Sequence, residues 1–217
     1  NIKKLNKALE FAKNKDFQSA ESVYASLLRE FPNDETLLSF WGMYNAKRKL
    51  YTKAEKILER AYNLKKTSST IAGLAYTKFK MQKYDESISF VKEMLADENN
   101  DYDRYIPYCF MASNYKAKEI FDTALMYYDT ASHYAKSERD KSLCITNIGL
   151  TNLSMGNVEK AFENFSASLT DYSEFNTTET KIINMIYLGV IYGMRSELDS
   201  ALLLLDKGIE MARKNRL

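Results

Sequence analysis

A recurring pair of small side chains restricts the fold of this chain more than any other sequence feature. Six times, an Ala or Gly is followed twelve residues later by another Ala or Ser. The first members of these pairs are Ala8, Gly42, Ala75, Ala112, Gly149 and Gly189, and the second members are Ala20, Ala54, Ser87, Ala124, Ala161 and Ala201. Because Ala, Gly and Ser make up about a fifth of an average protein, the pattern indicates an internal repeat with a period of 33 to 40 residues.

Each repeat predicts two α-helices that pack closely together. Two antiparallel helices can approach each other where small residues meet, and bulky residues one turn away fill the space between them. A bulky residue follows each second small residue by four positions, at Tyr24, Leu58, Val91, Tyr128, Phe165 and Leu205. Short polar stretches such as 14–16 and 156–157 supply turns between the helices. The sequence therefore predicts an all-α fold of six antiparallel helix pairs.

Composition excludes several other classes of protein. The 217 residues include only 2 Pro and 7 Gly, too few for the frequent turns of an all-β fold. The formal net charge of +2 gives no reason to expect extensive binding to nucleic acid or to an anionic membrane. The aliphatic runs are too short for a membrane span. We therefore expect a cytoplasmic protein without a nucleic-acid partner and without membrane insertion.

The chemically reactive side chains do not form a catalytic or metal-binding pattern. Cys109 and Cys144 are the only cysteines, and two cysteines form neither a disulfide framework nor a zinc site. The only histidine, His133, has no candidate nucleophile near it and is expected on a helix surface. We therefore predict no enzyme activity, no cofactor and no metal site.

The pattern resembles the tetratricopeptide repeat (TPR). The best matches to its two helices are Trp41-Gly42, Leu188-Gly189-x-x-Tyr192 and Ala124-x-x-x-Tyr128-x-x-Ala131. The resemblance implies a right-handed α-solenoid, the TPR superhelix, in which the first helix of each repeat lines the concave face. It also implies a single TPR domain over 1–217, with repeats near 1–34, 35–67, 68–104, 105–141, 142–181 and 182–217. The chain is either a whole protein or a fragment of a longer one, and this choice stays open.

Two departures from the family pattern lie in the same column of the repeat. Lys78 in the third repeat and Asn152 in the fifth occupy a column in which TPR sequences carry an aromatic residue. The last three periods are also longer than usual, with extra polar residues around 97–104, 136–142 and 171–180. We expect these residues in a longer second helix or in a loop at the edge of the fold.

The resemblance implies a non-catalytic scaffold or adaptor that binds a peptide or helix of a protein partner in its concave groove. The family's groove positions that we select as the candidate site are Met43, Lys47, Tyr76, Phe79, Lys80, Ile106, Cys109, Ser113, Lys116 and Leu150. An alternative is a regulatory sensor module in a longer protein whose output domain, such as a DNA-binding domain, a kinase or another enzyme, lies elsewhere in the chain.

One known TPR activity is not expected. Repeats that grip the acidic C-terminal tail of heat-shock chaperones carry Lys, Asn and Arg in their groove. The corresponding positions in this chain are Leu5, Leu9, Phe40, Ser69 and Gly73. None of these side chains can hold a carboxylate through a charge or an amide.

Four lysines recur at similar positions, one in each of the first four repeats: Lys13, Lys47, Lys80 and Lys116. Two interpretations stay open. The lysines are either a positive track for an acidic partner or ordinary solvated surface residues. Residues 1–67 contain 14 Lys or Arg and 8 Asp or Glu, so the start of the chain is the basic part.

The last predicted helix carries four consecutive leucines, residues 202–205. Consecutive residues point in nearly all directions around a helix, so part of this apolar surface should stay exposed. We expect either a continuation of the native chain past residue 217 or self-association at this end.

Overall fold

The computed structural model describes residues 2–96 and 104–215, with side chains from Lys4 onward. Over these ranges the chain forms twelve α-helices and no β-strand. The all-α prediction is therefore confirmed. The helices are α1 (Ile2–Lys13), α2 (Phe17–Glu30), α3 (Glu35–Lys47), α4 (Tyr51–Leu64), α5 (Ser68–Lys80), α6 (Tyr84–Ala96), α7 (Tyr105–Ala117), α8 (Phe121–Tyr134), α9 (Glu138–Ser154), α10 (Val158–Thr170), α11 (Thr178–Met194) and α12 (Leu198–Asn215).

The chain divides into two compact units, residues 1–101 (unit 1) and residues 102–217 (unit 2). Unit 1 contains the helix pairs α1–α2, α3–α4 and α5–α6, and unit 2 contains α7–α8, α9–α10 and α11–α12. Within each unit, every helix packs mainly against its partner in the pair, and a second helix also packs against the first helix of the next pair in the same unit. The interpretation of 1–217 as a single domain stays a prediction.

The small residues form the contact between the two helices of each pair. All twelve are buried. A Cβ atom on Gly42 would lie 2.5 Å from Leu58 Cγ, and one on Gly149 would lie 2.8 Å from Phe165 Cε1. These separations are shorter than a non-bonded contact, so the paired helices approach more closely there than an alanine would allow. The predicted pairing of small and bulky residues is confirmed.

The turn inside each helix pair has the same backbone conformation in all six repeats. The second residue after each first helix has a positive φ: Lys15, Lys49, Gln82, Glu119, Gly156 and Ser196, with φ between 60° and 80°. Glycine adopts this left-handed conformation without steric cost, yet five of the six positions carry another residue. The turns are therefore weakly marked in the sequence.

Side-chain caps determine where several first helices begin. Asp34, Thr67, Ser137 and Thr177 each accept a hydrogen bond from the backbone N–H three residues later, which satisfies a donor that the helix leaves free. The repeats were expected to begin near residues 142 and 182. The caps Ser137 and Thr177 instead start α9 at Glu138 and α11 at Thr178. The expectation of a longer second helix or loop is thus only partly right. Extra residues lengthen the first helices α9 and α11, whereas 171–177 form a turn, and 97–103 lie outside the described residues.

Lys78, the departure in the third repeat, is a buried cation surrounded by carboxylates. Its Nζ lies 2.6 Å from Glu55 Oε1 and 2.5 Å from Glu86 Oε2, and its side chain is 7% exposed. Burial alone would lower the pKa of Lys78, but the hydrogen bonds to Glu55 and Glu86 outweigh burial and raise that pKa above its ordinary value. The hydrogen bond from Lys78 holds the pKa of Glu55 below its ordinary value. The residue that replaces an aromatic therefore joins α5 to α4 and α6.

Alanine at one of these close helix contacts should destabilise the protein. In Gly149→Ala, the new methyl group collides with the ring of Phe165. Overpacking of this kind costs about 1 to 3 kcal/mol, which exceeds the gain of about 1 kcal/mol in helix propensity. Urea unfolding should show a net loss of about 1 kcal/mol. The matched control is Gly193→Ala, because a Cβ there meets nothing within 4 Å. This variant should be stabilised by about 0.5 kcal/mol, and an equal gain in both variants would contradict the close contact.

Loss of the buried ammonium should destabilise unit 1 in a pH-dependent way. Lys78→Met leaves Glu55 without its main partner, which should cost about 3 kcal/mol at pH 7. Because the pKa of Glu55 is lowered on folding, the stability that it contributes is present above its ordinary pKa of 4.5 and is lost as the pH falls through the lower folded value. The difference between wild type and variant should therefore shrink below about pH 4.5, as thermal unfolding at several pH values would show.

Lys83→Met is the control for this series, because Lys83 also contacts Glu55, at 3.0 Å, but its side chain is 41% exposed. Its loss should cost less than about 1 kcal/mol. Comparable costs for the two lysine variants would mean that burial of Lys78 is not what makes its ion pairs important.

Candidate functional site

A groove with a volume of about 450 Å³ lies on the first helices of unit 1. We call it the unit-1 groove. Helices α1, α3 and α5 supply its walls, and Tyr24 of α2 lies at its base. Its lining consists of Leu9, Ala12, Lys13, Tyr24, Ser39, Phe40, Met43, Tyr44, Lys47 and Ser69. The lining is apolar apart from two serines, two tyrosine hydroxyls and two lysines, and it can accept an apolar side chain.

Tyr24 brings an unsatisfied polar group to the base of the groove. The residue is fully buried, and its ring packs 4.8 Å from the ring of Trp41 and 5.4 Å from that of Tyr44, measured between centroids. Its hydroxyl makes no hydrogen bond with the described part of the chain. Burial raises the pKa of Tyr24 to about 12, so the hydroxyl keeps its proton and remains a donor at neutral pH.

Tyr128, the equivalent tyrosine of the fourth repeat, has a hydrogen-bond partner. The hydroxyl groups of Tyr128 and Ser113 lie 3.1 Å apart and form a hydrogen bond. In the first repeat, Leu9 occupies the position of Ser113, directly after the small residue of the first helix. The first repeat therefore has the tyrosine but not its hydrogen-bond partner, and both Tyr24 and Leu9 line the groove.

The charges along the unit-1 groove are all positive. Lys13 and Lys47 are exposed, lie in the last turns of α1 and α3, and have no ion-pair partner among the described residues. None of the ten lining residues is acidic. The groove thus combines an apolar lining with two unpaired ammonium groups at one end.

A second cavity of about 420 Å³ shares Ala12, Tyr44 and Lys47 with the unit-1 groove. It adds Arg48, whose guanidinium lies 4.9 Å from the ring centroid of Phe17 and forms an ion pair with Glu21. Lys49 also lines this cavity. The second cavity extends the positive charge beyond Lys47.

Only two of the five candidate residues predicted in unit 1 lie in this groove. Met43 and Lys47 line it. Tyr76 packs on the buried cluster around Leu58 and Leu74, and Phe79 lies 5.8 Å from the ring of Tyr84 between centroids. Lys80 Nζ lies 5.5 Å from the ring centroid of Tyr76 and 5.6 Å from that of Phe79. These three residues form a separate group on α5, in which the two rings are half-buried and Lys80 is exposed.

The five candidate residues in unit 2 have different environments. Ile106 is 44% exposed, whereas Cys109 packs on the cluster that contains Cys144 and Leu150 packs on the cluster that contains Phe165. A hydrogen bond with Cys109, together with burial, raises the pKa of the Cys144 thiol. The Ser113 hydroxyl forms a hydrogen bond with Tyr128. Burial lowers the pKa of Lys116. Of these residues, Ile106 presents the most apolar surface to solvent.

The structure explains part of the lysine pattern. Each of the four recurring lysines lies in the last turn of a first helix, where a positive charge interacts favourably with the helix dipole. Their surroundings differ, because Lys116 is half-buried whereas the other three are exposed, and Lys80 in addition lies over two rings. Only Lys13 and Lys47 line the groove.

The family's groove positions do not include the two tyrosines of the groove, Tyr24 and Tyr44. Tyr24 and Tyr44 lie in packing positions of the buried cluster in unit 1, and both also line the groove. Leu9 is the sequence signal that could have identified Tyr24. In the fourth repeat the equivalent position is Ser113, which forms a hydrogen bond with Tyr128, the equivalent of Tyr24.

A separate apolar surface lies on α12. Leu198, Leu202, Leu203 and Ile209 are each between 46% and 64% exposed. The exposed apolar surface predicted from the leucine run is therefore present. Its occupant, whether more of the native chain or a second copy, stays a prediction.

The described residues contain no group of three or more His, Cys, Asp or Glu side chains arranged to hold a metal ion. Within the same ranges, no helix is both long enough and apolar enough to cross a membrane. His133 is on the surface of α8, as expected, with its side chain 75% exposed and its Nδ1 3.8 Å from Asp129 Oδ2.

Solved structures with the same fold are TPR proteins, although neither a protein-family model nor a curated protein sequence matches the chain. The type IV pilus biogenesis factor PilW is 15% identical with a TM-score of 0.78, over 93% of this chain and 88% of PilW. YrrB, described as a TPR protein with an unusual peptide-binding site, is 16% identical with a TM-score of 0.55, over 87% of this chain and 91% of YrrB.

A third similar structure is the APC/C hetero-tetramer Cut9–Hcn1, which is 13% identical with a TM-score of 0.74. The match includes 95% of this chain, but the chain spans only 39% of the matched one. At these identities the comparisons show the fold alone. The fold is that of the TPR proteins, which confirms the resemblance at the level of fold.

Removal of the buried hydroxyl at position 24 should leave stability unchanged or increase it. Tyr24→Phe removes a polar group that is buried without a partner, so the free energy of unfolding should stay equal or rise by up to about 1 kcal/mol. Tyr128→Phe is the matched control, since it breaks the bond to Ser113 and should cost about 1 kcal/mol. Urea unfolding of both variants tests this contrast, and equal losses would show that Tyr24 has a partner.

Proposed function

We propose that this protein is a non-catalytic protein-interaction module that binds a peptide or helix of a partner on the first-helix faces of its repeats. The observation that carries the proposal is the unit-1 groove, which offers apolar walls, unpaired ammonium groups and a buried hydroxyl without a partner. Sites that bind ligands are typically concave and mostly apolar, with a few polar groups that fix orientation.

The fold supports this proposal. YrrB, one of the similar structures, is described as a TPR protein with an unusual peptide-binding site. A stack of repeats presents its first helices side by side, because each repeat contacts only its neighbours. Met43 and Lys47 are the candidate residues that the unit-1 groove supports most directly.

The remaining candidate residues form further candidate surfaces, each within its own unit. In unit 1 this surface is the α5 group of Tyr76, Phe79 and Lys80, and in unit 2 it is the α7 face that starts at Ile106. Aromatic side chains with part of their surface exposed are common anchors at interfaces. The alternative, a regulatory sensor module in a longer protein, stays a prediction.

A carboxylate placed on the wall of the groove should abolish binding without unfolding the protein. Phe40 lines the groove and is 38% exposed, so Phe40→Glu changes the groove at low cost to the core. A selection from a random peptide display library should enrich a consensus on the wild type and lose it on Phe40→Glu. Tyr76→Glu/Phe79→Glu tests whether α5 contributes to the same surface, with circular dichroism as the check on folding.

The matched control is Leu64→Glu, which places the same charge on an exposed leucine of α4 outside the groove lining. It should bind the selected peptides like the wild type. Enrichment that survives Phe40→Glu would contradict the assignment of the groove, and a complete lack of enrichment would contradict peptide binding by this face.

A further inference from the structure

We propose that the unit-1 groove selects an acidic peptide segment that inserts an apolar side chain between α1 and α3. This inference rests on the proposed function, since it names the chemistry of the partner for that site. Three observations support it: the sign of the charges along the groove, the apolar wall at positions where a carboxylate clamp would need polar groups, and the Tyr24 hydroxyl, which has no partner among the described residues.

The charges favour an acidic ligand over a neutral one. Lys13 and Lys47 lie at one end of the groove, and Lys49 continues the positive charge in the adjoining cavity. The helix dipole accounts for a lysine in the last turn of a first helix, but it does not account for the absence of any acidic residue from the lining of either cavity. A ligand with carboxylates near Lys13 and Lys47 would supply the missing opposite charge.

The apolar wall determines which part of the ligand enters the groove. Leu9, Phe40 and Ser69 line it at positions where a carboxylate clamp would need charged or amide side chains. A carboxylate buried there would lose its hydration without gaining a partner, which is costly. The groove therefore receives an apolar side chain, while the acidic groups of the ligand stay at the lysine end.

Tyr24 supplies a hydrogen-bond donor to the ligand. Its hydroxyl is protonated and lacks an acceptor among the described residues. A backbone carbonyl oxygen of the bound segment would satisfy this donor. Because the hydroxyl lies beneath the groove surface, a lining side chain must move to expose it, and Met43 is an unbranched, flexible residue in that lining.

The experiment measures binding of three synthetic peptide pools to the full chain by fluorescence polarisation. The pools share random apolar residues at alternate positions and differ in the others, which are Asp or Glu in the first pool, Asn or Gln in the second and Lys or Arg in the third. The acidic pool should bind roughly ten-fold more tightly than the amide pool, since two exposed ion pairs each contribute up to about 1 kcal/mol. Added salt should reduce that preference.

Two pairs of variants assign the effect to the groove. Lys13→Gln/Lys47→Gln should remove the preference for the acidic pool, whereas Lys56→Gln/Lys92→Gln, which neutralises two exposed lysines of unit 1 outside the groove, should keep it. Tyr24→Phe should weaken binding roughly five-fold, which corresponds to one hydrogen bond. Tyr128→Phe should leave affinity unchanged.

The outcomes separate this inference from the proposed function. Equal binding of the acidic and amide pools, with both abolished by Phe40→Glu, would overturn the acidic preference and leave peptide binding in place. A preference that both lysine pairs reduce equally would show general charge attraction and would also overturn it. Unchanged affinity in Tyr24→Phe would overturn the role of the hydroxyl, and no binding of any pool would overturn both the inference and the proposed function.

Discussion

The close contact between the two helices of each pair is the constraint on which the rest of the structure depends. At Gly42 and Gly149 the backbones approach so closely that even a methyl group would collide with the partner helix. Bulky residues such as Leu58 and Phe165 fill this contact from the second helix. Because each first helix is occupied by its partner on one side and by the next repeat on another, only its remaining face is free to bind anything else.

The sequence predicts this contact well because the contact depends on size. Every small residue and nearly every bulky residue of the repeat pattern is buried, and the order of the twelve helices follows. The longer first helices α9 and α11 were not predicted, because their starts depend on the single capping side chains Ser137 and Thr177. Ser and Thr are also common in loops, so the sequence does not distinguish these caps from loop residues. The six turns are equally weakly marked, since only Gly156 shows the residue type that their backbone favours.

The candidate site was harder to predict, because a binding surface depends on how far each side chain is covered by its neighbours. Met43 and Tyr76 occupy comparable positions on successive first helices, yet Met43 lines the groove and Tyr76 packs on a buried cluster. The family pattern gives the face of the helix but not this difference. Tyr24 shows the opposite case, since it occupies a packing position and nevertheless lines the groove.

Two departures from the repeat pattern, Lys78 and Leu9, have different consequences for the buried groups around them. Lys78 replaces an aromatic residue, and the fold compensates with Glu55, Glu59 and Glu86, which all lie within 3.5 Å of its ammonium. Leu9 replaces a hydroxyl partner, and no other described residue compensates for the loss at Tyr24. A buried polar group without a partner is unfavourable for the isolated chain. The two departures therefore differ in kind: carboxylates of unit 1 compensate for the first, and no described residue compensates for the second. This difference is the physical reason to look for the partner at the first three repeats.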